Sequence, residues 1–106
     1  MSEKGSQDIP QELEEYRKQI DECDAALIKA LAERFEIVRK VGALKVGEGM
    51  DSIQPARAQA VKDQAVELGK AHGLDEAFMR RIYDALIDYA HHIEHEIIGD
   101  HPEDEQ

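Results

Sequence analysis

The chain of 106 residues carries 13 Lys and Arg against 24 Asp and Glu, a formal net charge of −11, with 42% hydrophobic and 35% charged residues. That is the size of one domain with a modest core of its own, and the composition suits a soluble protein rich in helix. The acidic balance argues against nucleic acid and anionic membranes as partners, since both select basic surfaces, and no apolar run approaches the roughly 18 residues needed to cross a bilayer.

The polar stretch Met1–Pro10, with Gly5, Ser6 and Pro10, reads as a loose tail, so residues 1–11 are expected to stand outside the domain. From Gln11 to Val46 there is no proline, and the first glycine is Gly42. Apolar residues recur at Leu13, Tyr16, Ile20, Cys23, Leu27, Leu31, Val38 and Val41, in steps of three, four and seven. The spacing predicts one amphipathic helix of about 35 residues, about 50 Å long. Gly47, Gly49 and Pro55 mark its end and a loop, in which the glycines of Gly47–Ser52 favour mobility.

A second helix is expected from Gln54–Arg57, with Pro55 in the first turn, where a missing N–H costs nothing. Its inner face is read as Ala58, Val61, Ala65, Leu68 and His72, and Gly73 is its stop. A third helix follows Leu74 with Asp75 as N-cap. Its stripe is Phe78, Ile82, Leu86, Ala90, Ile93 and Ile97, and it ends near Gly99. Residues 12–99 would then form the helical domain and 100–106 an acidic tail. No segment alternates with period two over a useful length, so the expected fold class is all-α, a three-helix protomer with a long N-terminal helix.

Lengths constrain assembly. The second and third helices, at about 24 and 36 Å, cannot easily cover an apolar stripe of about 50 Å. An intertwined homodimer with interlocked long helices would bury it. A three-helix bundle with a frayed start is the alternative.

Lone Cys23 allows no intrachain disulfide and reads as a small buried hydrophobe. The N-terminus lacks a basic-then-apolar pattern, so a cytoplasmic location is expected. There is no CxxC, GxGxxG, P-loop or GxSxG. His91 and His95 are four apart beside Glu94, but no second ligand cluster or HExxH accompanies them. No metal and no cofactor is therefore expected. His72, near a helix end, reads as a capping or solvated residue.

A few charges fall on the wrong face. Arg34 and Lys45 are eleven residues apart, so they point within about 20° of each other, about 16 Å apart along the axis. They share that face with Val38 and Val41. A buried cation needs a partner, which is either a carboxylate of this chain or a bound anion. Arg17 lies near Ile20 on the same inner edge, about 25 Å from Arg34. In an antiparallel dimer, Arg17 could complete a site built by the neighbouring protomer. Arg57 opens the second helix, where N–H groups and dipole favour an anion; a salt bridge to nearby acids is its other reading. Glu94 abuts the inner stripe of the third helix, between Ala90 and Ile97.

The stretches Leu13–Lys45 and Ser52–Glu94 together resemble the all-helical class of chorismate mutases, over about four-fifths of the chain. The resemblance is carried by R-x-x-I-D-x-x-D at Arg17–Asp24, A-E-R at Ala32–Arg34, V-G-x-x-K at Val41–Lys45, P-x-R at Pro55–Arg57 and G-L-D at Gly73–Asp75. It implies a dimer with a shared long helix and a substrate that is a small dianion, chorismate or a close relative. It further implies a substrate-binding set of Arg17 from the partner with Arg34, Lys45, Gln54, Arg57 and Glu94, and catalysis by Lys45, Glu94 and Arg34. Lys45 and Glu94 would donate to the ether oxygen of the breaking bond, which requires Glu94 to be protonated. Two departures matter. Ala58 stands where many family members carry a Glu that contacts the ring hydroxyl, and Ala90 replaces a small polar residue found in some. They leave open two alternatives on the same frame, an isochorismate pyruvate lyase and a 4-amino-4-deoxychorismate mutase. A non-catalytic helical dimerisation module is the alternative from a different class.

Overall fold

The computed structural model describes residues 9–51 and 54–99 and contains three helices: α1 (Gln11–Glu48), α2 (Pro55–Ala71) and α3 (Glu76–Ile98). Among the described residues there is no strand. The tail expected at 1–11 lies outside the described residues as far as residue 8, and Gln11 is already helical. The acidic tail at 100–106 lies outside them entirely. Among the described residues no helix is long and apolar enough to cross a membrane.

Each helix starts and stops for a local chemical reason. Glu12 and Glu14 in the first turn of α1 oppose the positive end of its dipole. The helix passes through Gly47, expected to end it, and stops one residue later. Gly49, at φ +69, bonds Val46 O at 3.2 Å, and Met50 N bonds Lys45 O at 2.9 Å. This is the paired closure that only a left-handed residue permits. The same closure ends α2. Gly73, at φ +78, bonds Lys70 O at 3.0 Å, and Leu74 N bonds Gly69 O at 2.8 Å. Asp75 caps α3 by accepting from Phe78 N at 2.9 Å, a contact whose loss typically costs about 1 kcal/mol.

The chain divides into two units, Met1–Arg34 and Phe35–Gln106. In the first, Leu13, Tyr16, Ile20, Cys23 and Leu27 are all exposed. The buried placement expected for Cys23 is therefore absent in the single chain, because nothing within this unit packs on that stripe.

The second unit holds the core: Gly42 of α1, Ala65, Val66 and Gly69 of α2, and Ala90, Ile93 and Glu94 of α3. Helices α2 and α3 run antiparallel. Lys62 pairs with Asp84 at 2.6 Å, Asp63 with Arg80 at 3.8 Å, and Lys70 with Glu76 at 3.6 Å. The inner face of α2 differs from the expected one. Val66 and Gly69 are inside, whereas Leu68 is 61% exposed and His72 is exposed. Small residues explain the shift, since a side chain on Gly69 would enter Met79: its Cβ would lie 2.6 Å from Met79 Cγ. The helices approach closely there because glycine leaves room. Gly42 does the same for α1 against α3, its Cβ position falling 3.2 Å from Ile97 Cδ1. Phe35 of α1 meets Tyr89 of α3 edge-to-face at 4.9 Å, an arrangement aromatic quadrupoles favour.

Candidate active site

The geometry of the second unit converges on one polar contact. Lys45, in the last turn of α1, donates from Nζ to Glu94 Oε1 at 2.7 Å. The two side chains are only 15% and 9% exposed. They are 49 residues apart in sequence. Lys45 reaches the interior because its helix face also carries Val38 and Val41, both half-buried, and Gly42, which is buried. Glu94 reaches it from α3, one residue after buried Ile93 and four after buried Ala90. A cation and an anion placed this deep hold each other in place. Removing Lys45 would leave the Glu94 carboxylate buried without this contact.

Of the two partners open to the inner cations, Lys45 therefore takes a carboxylate of its own chain. The contact does not exhaust it. An ammonium has three N–H donors and a carboxylate several acceptor positions.

The other candidates stand as follows. Gln54 is the N-cap of α2, half-buried, and its side chain makes no capping bond. Its backbone carbonyl accepts from Arg57 N at 3.0 Å and Ala58 N at 3.1 Å. Arg57 sits in the first turn of α2, exposed, and forms no ion pair among the described residues. An open cleft of about 500 Å³ lies at the α1–α2 connection, lined by Gly49, Met50, Asp51, Gln54, Pro55 and Ala56. It includes Gln54 but neither Lys45 nor Glu94. In the first unit, Arg34 is half-buried. Arg17 is exposed and pairs with Glu14 at 3.4 Å, a surface contact worth well under 1 kcal/mol.

The histidines stay at the margin. His92 stacks on Tyr89 at 6.1 Å and lies 3.6 Å from Glu96. Among the described residues no three His, Cys, Asp or Glu side chains group as metal ligands. Sequence reasoning placed Lys45 and Glu94 on inner faces but did not pair them. Helical periodicity assigns a residue to a face and says nothing of what meets it from another helix.

The family described as Chorismate mutase type II matches residues 16–95. A "4-amino-4-deoxychorismate mutase" of Streptomyces venezuelae is 33% identical over 76 residues, 72% of this chain and 74% of that protein. Another protein of that name, from Streptomyces pristinaespiralis, is 34% identical over 87 residues, 82% of this chain and 67% of that protein. A "Chorismate mutase" of Methanocaldococcus jannaschii is 33% identical over 79 residues, 74% of this chain and 80% of that protein.

Proposed function

The chain belongs to the type II chorismate mutase family, and from that membership we propose that it rearranges chorismate to prephenate within an intertwined homodimer. The observation that carries this reading is the buried Lys45–Glu94 contact at 2.7 Å. It sets an ammonium and a carboxyl side by side inside an otherwise apolar helical core.

The reaction is a unimolecular pericyclic step on a dianion. One C–O bond breaks as one C–C bond forms, so no nucleophile or metal has to take part. Catalysis then reduces to two tasks. The compact conformer, with its reacting ends close, must be selected, which removes rotational freedom before the barrier. Negative charge growing on the ether oxygen must meet donors already in place. In this proposal Arg34 and Lys45 of one protomer and Arg17 of the other hold the two carboxylates. Gln54 and Arg57 complete the binding set at the start of α2. Lys45 donates to the ether oxygen, and Glu94 holds its ammonium in place. The exposed stripe from Leu13 to Leu27 supports the dimer, because a second copy laid along it would bury apolar surface that one chain leaves in water.

The catalytic domain in this reading spans residues 12–99. The protein is taken to act in the cytoplasm, which its single unpaired Cys23 suits. A second reading, 4-amino-4-deoxychorismate as substrate, is favoured by the names of two relatives. The purified protein, incubated separately with chorismate, isochorismate and 4-amino-4-deoxychorismate and followed by chromatography, tests both. Prephenate from the first supports the proposal. No product from any of the three refutes it.

A further inference from the structure

Among the described residues of α1 only Gly42 is buried. It lies inside the helix, where glycine is less favourable than alanine because it gives up more backbone freedom on folding. A Cβ on Gly42 would lie 3.2 Å from Ile97 Cδ1, 3.4 Å from Ile97 Cγ2 and 3.5 Å from Ile97 Cβ. The last of these atoms is bonded to the backbone of α3. The helix itself therefore stands this near, and not only the tip of a flexible side chain. Gly47 of the same helix is the contrast, since nothing lies within 4 Å of its Cβ position.

The approach of Gly42 to Ile97 borders the polar contact on both helices. Lys45 is three residues after Gly42, and Glu94 is three before Ile97. Residues three apart on a helix are neighbours on one face. Lys45 Nζ meets Glu94 Oε1 at 2.7 Å, with the two side chains 15% and 9% exposed. Within one turn of that contact, the spacing of α1 and α3 is set by a residue with no side chain to hold them apart.

We propose that Gly42 is a positioning residue for the reaction: its bare backbone lets α1 close on Ile97, and that closeness keeps the Lys45 ammonium on Glu94, where it serves the ether oxygen. Gly42 acts only through Lys45 and touches no substrate. The inference rests on the role proposed above for Lys45.

The experiment widens the approach in steps. A methyl on Gly42 requires Ile97 to give way by a few tenths of an ångström. A catalytic group misplaced by about 1 Å can cost about a hundredfold in rate, so Gly42→Ala is expected to lower kcat about threefold or more. Gly42→Val, whose two branches cannot be cleared by the swing of one methyl, is expected to lower it about tenfold or more. The gain in helix propensity opposes the crowding in a melt but not at the site. A merely structural role would leave kcat, measured at saturating chorismate on folded protein, unmoved. Ile97→Val deletes Cδ1, the atom at 3.2 Å, and in the Gly42→Ala chain should return most of the lost kcat. Melts at one fixed protein concentration read the same geometry without turnover. The fall in Tm caused by Lys45→Met should be smaller in the Gly42→Ala chain than in the parent, because the contact it removes is already stretched. An unchanged kcat in both folded Gly42 variants, a loss that Ile97→Val does not relieve, or equal falls in Tm would each overturn the positioning role and leave the mutase reading standing. A parent chain that turns over no chorismate would overturn that reading, and the inference with it.

Discussion

The Lys45–Glu94 contact makes a quantitative claim on stability that can be separated from catalysis. Replacing Lys45 by Met keeps an apolar stem of similar reach and removes the charge. Glu94 is then left buried with its partner gone. With both side chains at most 15% exposed, breaking the pair from one side should cost about 3–5 kcal/mol. For a domain of this size that lowers Tm by about 12 °C or more. Glu94→Leu removes the carboxylate that Lys45 Nζ contacts and should also lower stability. Lys45→Met/Glu94→Leu replaces both charges by apolar volume and should return to within about 1 kcal/mol of the parent. Thermal and denaturant melts of the four proteins by far-UV circular dichroism complete the cycle, at one fixed protein concentration because a dimer's Tm depends on it. A coupling energy of about 3 kcal/mol is expected. A value below about 0.5 kcal/mol would show that the two groups do not depend on each other, and the geometric basis of the site would be lost. Activity measured alongside separates the roles: the double variant should be folded and inactive, since the ammonium that donates to the ether oxygen is gone.

Two further outcomes follow from named groups. Glu94→Gln keeps the shape of the side chain but offers Lys45 a neutral acceptor, so it should lower kcat/KM. A folded Glu94→Gln variant with unchanged kcat/KM would remove Glu94 from the mechanism. The glycines of the helices should respond in opposite directions. Gly47 is helical with open space where a Cβ would go, so Gly47→Ala should raise stability by up to about 1 kcal/mol. Gly69→Ala drives its methyl into Met79 Cγ at 2.6 Å and should lower stability by about 1 kcal/mol or more. Denaturant melts that rank the two variants the other way would contradict the packing described for the α2–α3 seam.

The helix boundaries were legible because they are local chemistry. Pro55, Asp75, Gly73 and Gly99 act through their own backbone or through a side chain three residues away, and the caps follow them. The inner face of α2 was legible only in part. Hydrophobicity points to Leu68, but close approach selects Ala65, Val66 and Gly69, so the smallest side chains face inward and the largest does not. Reading along one helix could not reveal that, because the constraint is Met79 on another. The same limit applied at the site. Periodicity marked Lys45 as an inner cation and set Glu94 beside an inner stripe, and their contact at 2.7 Å emerged only once α1 and α3 were packed. Arg17 is the extreme case. Within its own chain it is a solvated residue beside Glu14, and the role proposed for it lies across the proposed dimer interface.

That interface is where the account is most directly tested. Arg17→Ala and Arg34→Ala variants should each be folded and nearly inactive alone. Mixed, unfolded and refolded together at equal amounts, half of the dimers carry one of each chain, and one of their two sites regains both arginines, so about a quarter of parental activity should return. Mutase activity of the mixture no greater than the sum of the separate variants would contradict a site shared between two chains.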